Sequence, residues 1–179
     1  MSGEERRARF EALAGEVVEP VRRYLARRTD PATADDVLAD TLLVCWRRLE
    51  EVPERALPWV YVVARQCLAN ADRGRRRQER LADRLAAQPA ADQAWSDPAA
   101  QGPGDAELDE ALSRLRPEDA ELIRLWAWEE LTPAEIATVL GMSANAVSIR
   151  LHRVRGRLRE ELRKTRAPAG QEQGERRQS

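Results

Sequence analysis

Residues 132–158 read TPAEIATVLGMSANAVSIRLHRVRGRL, and the fold turns on this stretch. Thr132-Pro133-Ala134-Glu135 is a helix start. The Thr side chain accepts from otherwise unpaired N–H groups, Pro fits a first turn where its missing N–H costs nothing, and Glu135 reaches back to the cap. Ile136, Ala137 and Leu140 then face inward, with Ala137 small where two helices must cross closely. Gly141 stands where the chain reverses, a position that favours positive φ. Ser143 caps a second helix, and Val147, Leu151, Val154 and Leu158 fall in one narrow stripe at about 100° per residue. Two capped helices around a glycine turn predict a helix-turn-helix.

The outer face of the second helix presents Asn145, Ser148, Ile149, His152 and Arg153, with Arg150, Arg155 and Arg157 on its flanks. A recognition helix needs polar and small apolar groups for base edges and flanking cations for phosphate. An Arg-rich solvated helix would show the same charges. The caps and the Ala137–Gly141–Val147 spacing favour the DNA-binding reading.

Working outward, the N-terminal half also reads as helices. Phe10, Leu13, Val17, Val21 and Tyr24 form one apolar stripe, ended by the turn Thr29-Asp30-Pro31. A second helix is predicted to start near Thr33, where Thr33 and Asp36 have capping-box spacing, with Val37, Thr41, Val44, Cys45 and Leu49 inward. Pro58 suits the first position of a third helix, which carries Val60, Val63, Ala64 and Cys67 on one face. That helix runs into Arg73, Arg75, Arg76, Arg77 and Arg80, a run suited to phosphate by charge and bidentate geometry. Gln66 and Asn70 lie one turn earlier on one face and suit exposed base edges. Trp59 and Tyr61 are placed to stack on unpaired bases or to pack in the core.

Composition bounds the rest. Charged residues make up 34% of 179, with 9 Gly and 10 Pro, a helical profile. No stretch approaches the roughly 18 uncharged residues of a membrane helix, and Met1–Arg9 is not followed by an apolar run, so a cytoplasmic protein without membrane insertion is expected. One His and two Cys give no metal site of the usual spacing, and Cys45 and Cys67 read as buried, reduced thiols. With no Gly-rich phosphate loop either, neither catalytic residues nor a cofactor are expected. The net charge of −1 hides segregation: +2 over 1–80, −9 over 81–135 and +6 over 136–166. Two nucleic-acid surfaces separated by an acidic segment would give this profile.

The expected fold is all-α: two small helical domains joined by a flexible acidic linker, the second containing the helix-turn-helix. The expected boundaries are 1–87, a linker over 88–105, 106–165, and a disordered tail over 166–179. Trp95 is the one large apolar residue of the linker, placed for local packing or as an anchor. In the second domain Leu108, Leu112 and Leu115 mark one helix, and Pro117 opens another with Leu122, Leu125 and Trp126.

Three segments together resemble the extracytoplasmic-function sigma factors of bacterial RNA polymerase. Ala34-Asp35-Asp36-Val37-Leu38-Ala39-Asp40-Thr41 with Trp46-Arg47 resembles the region that grips core polymerase. Pro58-Trp59-Val60-Tyr61-Val62-Val63-Ala64-Arg65, with Asn70 and Arg73, resembles the segment that opens and reads the minus-ten element. Leu131 through Arg153 is similar to the segment that reads the minus-thirty-five element. The three occur in the family's order. The family often has Gln-Glu-Thr-Phe where this chain has Ala39-Asp40-Thr41-Leu42, and Asn and Asp at the positions of Gln66 and Asn70.

The resemblance implies a chain that binds core polymerase and promoter DNA, with an anti-sigma factor as a partner. It implies polymerase contacts at Asp36, Ala39, Asp40, Trp46 and Arg47. It implies minus-ten contacts at Trp59, Arg65, Gln66, Asn70, Arg73, Arg75, Arg76 and Arg77. Upstream contacts fall on Asn145, Ser148, Ile149, Arg150, His152, Arg153, Arg155 and Arg157. The competing reading is a stand-alone helix-turn-helix regulator, which would bind a duplex tightly without polymerase.

Overall fold

The computed structural model describes residues 2–85 and 103–166, which form seven α-helices and no strand among them. The first half holds α1 (Gly3–Ala26), α2 (Pro31–Arg47), a short 3-10 turn (Leu49–Glu51) and α3 (Ala56–Leu85). The second half holds α4 (Pro103–Ser113), α5 (Pro117–Ala127), α6 (Pro133–Leu140) and α7 (Ala144–Arg166). The all-α expectation holds. Trp95 and residues 167–179 of the expected tail lie outside the described residues, while Arg166, the tail's first expected position, closes α7.

The N-terminal stripe packs as its period requires. Leu13, Val17, Val21 and Tyr24 are buried against Val37, Leu38, Cys45, Val60 and Ala64 of α2 and α3. Phe10 meets Trp46 edge-on at 5.2 Å. The start of α2 differs from expectation. Its cap is Asp30, whose side chain accepts from the Thr33 N–H at 3.0 Å, and Pro31 takes the first turn. Asp before Pro places the boundary three residues earlier because an Asx cap and a proline at the first helical position reinforce each other.

α3 begins at Ala56, so Pro58 sits inside the first turn rather than at its first position, still among the N–H groups that have no intrahelical partner. The helix continues for 30 residues, about 45 Å. Its first half is core; from Arg75 to Leu81 every side chain is exposed. Tyr61 is not available for stacking on bases. It is buried against Tyr24 at 5.1 Å, and burial pushes its phenol up to about 12.

In the second half Leu112, Leu122, Ile123, Leu125, Ile136, Val139, Val147, Leu151 and Val154 form the core. α4 already starts at Pro103, inside the segment expected to be linker. Trp126 departs from expectation too: it is exposed and lies under the Arg155 guanidinium at 4.5 Å. The two halves touch. α3 packs on α6, and the buried residues of both halves form one contiguous cluster.

Candidate nucleic-acid interface

The helix-turn-helix is assembled by local chemistry. Thr132 and Glu135 form a reciprocal capping box, the Glu carboxylate accepting from the Thr132 N–H at 2.8 Å. The Thr132 hydroxyl, donating to the same carboxylate at 2.6 Å, and the Thr132 N–H together hold the Glu135 carboxyl below its ordinary value, with the Arg55 charge adding to them. Gly141 turns the chain at φ 65, a left-handed backbone that L side chains rarely adopt. Ser143 accepts from the Ala146 N–H at 3.2 Å and starts α7.

That arrangement seats Val147, Leu151 and Val154 in the core and turns Asn145, Ser148, Ile149, His152 and Arg153 to solvent. Ile149 is 51% exposed, an apolar group kept on a polar face. Ser148 donates to the Ala144 carbonyl at 2.9 Å, which leaves its oxygen free to accept. Arg153 has no ion pair among the described residues, whereas the flanking arginines are placed by α5. Arg150 donates through Nε to Asp119 at 2.7 Å, Arg157 reaches the same carboxylate at 3.5 Å, and Arg155 covers Trp126.

A second basic surface lies on α3. Arg65, Gln66, Asn70, Arg73, Arg75, Arg76 and Arg77 are exposed, and Gln66, Asn70, Arg73 and Arg77 recur on one face. Arg73 hydrogen-bonds the Asn70 side-chain oxygen, so the amide is oriented by its neighbour. Arg75 is shared with Asp72 at 3.2 Å and Glu79 at 3.9 Å, while Arg76 and Arg77 have no ion pair among the described residues. Trp59 is half-buried with the Arg48 guanidinium 5.5 Å from its ring.

On α2, Asp36, Ala39, Asp40 and Arg47 form an exposed stripe. Leu43, also exposed, sits in its middle and went unnoticed in the sequence; the i, i+3, i+4, i+7 spacing from Asp36 marks it. Trp46 is half-buried beside the stripe. It is pinned by Arg6, which stacks on its ring at 4.9 Å and donates to its carbonyl at 2.7 Å. Cys45 and Cys67 are free cysteines. Burial pushes the Cys45 thiol up to about 11 and raises that of Cys67, so both are poor nucleophiles. Among the described residues no group of His, Cys, Asp and Glu is disposed to hold a metal, and no helix is long and apolar enough to cross a membrane.

Comparison with known proteins matches residues 105–158 to the family described as Sigma-70, region 4. The RNA polymerase sigma-E factor of Streptomyces coelicolor is 32% identical over 137 residues, covering 74% of this chain and 73% of that protein. The ECF RNA polymerase sigma factor SigL of Mycobacterium tuberculosis is 31% identical over 156 residues, covering 81% and 84%. Among solved structures, the sigma factor RpoE of Bartonella quintana, in complex with the anti-sigma factor NepR, superposes with a TM-score of 0.63 at 19% identity. That superposition covers 86% of this chain and 96% of RpoE. CnrH, in complex with the cytosolic domain of CnrY, gives 0.59 at 24% identity over 87% and 88%. At these identities the two structures establish the shared helical fold.

Proposed function

The chain belongs to the extracytoplasmic-function sigma factors of bacterial RNA polymerase, and from that premise we propose how its surfaces divide the work of initiation. The Asp36–Arg47 stripe of α2 docks on core polymerase, with Leu43 supplying apolar contact between the acids. Trp46 holds that stripe in place through its packing on Phe10 and Arg6. The exposed face of α3 meets the minus-ten element. Gln66 and Asn70 take base edges of the opened strand, and Arg73, Arg76 and Arg77 take phosphate. Trp59, Arg65 and Arg75 stand at its margin. The outer face of α7 lies in the major groove of the minus-thirty-five element. Asn145, Ser148, Ile149, His152 and Arg153 read bases, and Arg150, Arg155 and Arg157 contact the backbone.

The observation that carries this reading is the α7 face itself: a base-reading set with Ile149 exposed, on a helix fixed by a cap, a left-handed glycine and a buried apolar stripe. The domain division is a docking and minus-ten unit over 1–87 and an upstream-reading unit expected over 106–165, whose first helix extends it back to Pro103. The chain contributes no chemistry of its own; polymerase does the synthesis. It works in the cytoplasm, where promoter DNA is. RpoE and CnrH were each solved with a bound regulator, and an anti-sigma factor is the corresponding partner here.

The experiment is reconstitution. Core polymerase with the purified chain should give discrete run-off transcripts from a promoter library, and core alone should not. A chain that binds a duplex site at nanomolar Kd by itself and adds no transcript would overturn the assignment in favour of a stand-alone regulator.

A further inference from the structure

Gly156 stands inside α7, where a glycine costs stability: its backbone gives up more freedom on folding than that of alanine. A tight helix crossing would explain it, but there is none. A methyl group at this position would come within 4 Å of no other helix among the described residues. The fold itself therefore makes no use of the missing side chain.

Its place on the helix is informative. At 100° per residue Gly156 falls within about 20° of Asn145 and Ile149 and about 40° of His152, directly opposite the buried Val147. It is the next residue along the line of the base-reading set. Its chain neighbours are Arg155 and Arg157, and α5 holds both. The Arg155 guanidinium lies over Trp126 at 4.5 Å, and Arg157 reaches Asp119 at 3.5 Å. Asp119 and Trp126 stand near opposite ends of α5, about 10 Å apart along its axis. Two cations are thus steered to the two sides of α7, with bare main chain between them.

The spacing matches a duplex. From Asn145 to Gly156 is about 16 Å along the helix, and the major groove is about 12 Å wide. A helix with its N-terminal face on base edges therefore meets a sugar–phosphate strand near the level of Gly156. Without a Cβ, that strand comes closer by roughly one carbon–carbon bond, about 1.5 Å.

We propose that Gly156 is the point where a backbone phosphate of the upstream element bears on α7. The bare main chain is the floor of this seat, and Arg155 and Arg157 are its walls. Gly156 thereby sets how deeply Ile149, His152 and Arg153 enter the groove. The seat rests on the reading of α7 as the minus-thirty-five helix.

Gly15 of α1 supplies the control. It too lies inside a helix, on the side away from the buried Leu13 and Val17, and a methyl there would meet no other helix. Its neighbours are Ala14 and Glu16, and α1 carries none of the proposed DNA contacts.

The test compares stability with promoter binding. Gly156→Ala and Gly15→Ala should each raise the Tm of the full chain by about 2 °C or more. Their holoenzymes should then part. On a promoter fragment selected from the run-off library by wild-type holoenzyme, Gly156→Ala should raise Kd at least about fivefold. Gly156→Gln, a longer side chain, should raise it further, and Gly15→Ala should bind as wild type does. On the same fragment cut short of the upstream element, all four chains should bind alike, because α7 has no groove to enter. Promoter binding by Gly156→Ala that equals or exceeds wild type overturns the seat. A loss that persists on the cut fragment also overturns it, since the methyl then acts elsewhere. A lowered Tm in Gly156→Ala overturns the premise that the fold has no need of glycine there. Absence of run-off transcript with the wild-type chain would instead sink the sigma-factor reading. Duplex binding by the free Gly156→Ala and Gly15→Ala chains would then decide the seat by the same comparison.

Discussion

Arg150 of α7 and Asp119 of α5 are joined at 2.7 Å, and Asp119 is one of three buried polar residues among those described. The same carboxylate takes Arg157 through its other oxygen. One acid therefore sets two arginines, seven positions apart, along one side of α7. Arg153 falls between them in sequence and is held by neither.

That difference predicts different phenotypes. Arg153→Ala should cost roughly 1–3 kcal/mol and relax preference at one or two base pairs of the upstream element. Arg157→Ala should weaken all promoters alike and lower the salt slope by about one unit. A promoter library transcribed with each variant holoenzyme separates them. Unchanged upstream preference in Arg153→Ala, with altered preference in Arg157→Ala, would mean the wrong side of α7 faces the bases.

The α2 stripe makes a second prediction. Asp36 and Asp40 are both exposed, and neither has an ion pair among the described residues. Reversing both to Arg should abolish core binding while leaving the thermal melt near wild type, because surface changes away from caps and cores stay within about 0.5 kcal/mol each. Retained affinity for core polymerase in the folded double variant refutes the docking assignment.

The capping box gives a third, with a defined direction in pH. Thr132→Ala should destabilise the second half by about 1 kcal/mol. Glu135 has a folded pKa below its unfolded value because Thr132 and Arg55 favour the carboxylate. Its contribution is fully present above the unfolded pKa, near 4.3, and is lost as pH falls through the lower folded value. Denaturant melts of Glu135→Gln against wild type should differ above pH 5 and converge toward pH 3. A constant gap across that range would contradict the linkage.

The helix-turn-helix was legible in the sequence because everything that builds it is local: two caps, one left-handed glycine and a 3.6-residue stripe within 27 residues. Local signals misled where two of them competed. Thr29-Asp30-Pro31 read as a turn, yet Asp30 and Pro31 also open α2. Periodicity names a stripe but not which neighbour completes it, so Tyr61 went inward while Trp126 turned out under Arg155. The buried ion pairs of Arg28 with Glu121 and Glu129, and of Arg27 with Glu129, had no sequence signal at all. Arginines just past one helix end, a glutamate inside another helix and a second in the turn after it look like solvated surface, and only the tertiary fold brings them together over some hundred residues. The same holds for Asp119, which reads as an ordinary acid in a first turn.

α3 has a mechanical side. It is one unbroken rod, seated in the core at one end and bare from Arg75 onward at the other. A tilt of about 5° at its seat near Ala64 carries Arg80, about 24 Å further along, by about 2 Å. That displacement is enough to make or lose a hydrogen bond. The basic end therefore has an aim but no adjustment of its own. α2 packs along the seated end, so the Asp36–Arg47 stripe sits against the fixed end of the same rod whose far end carries the arginines.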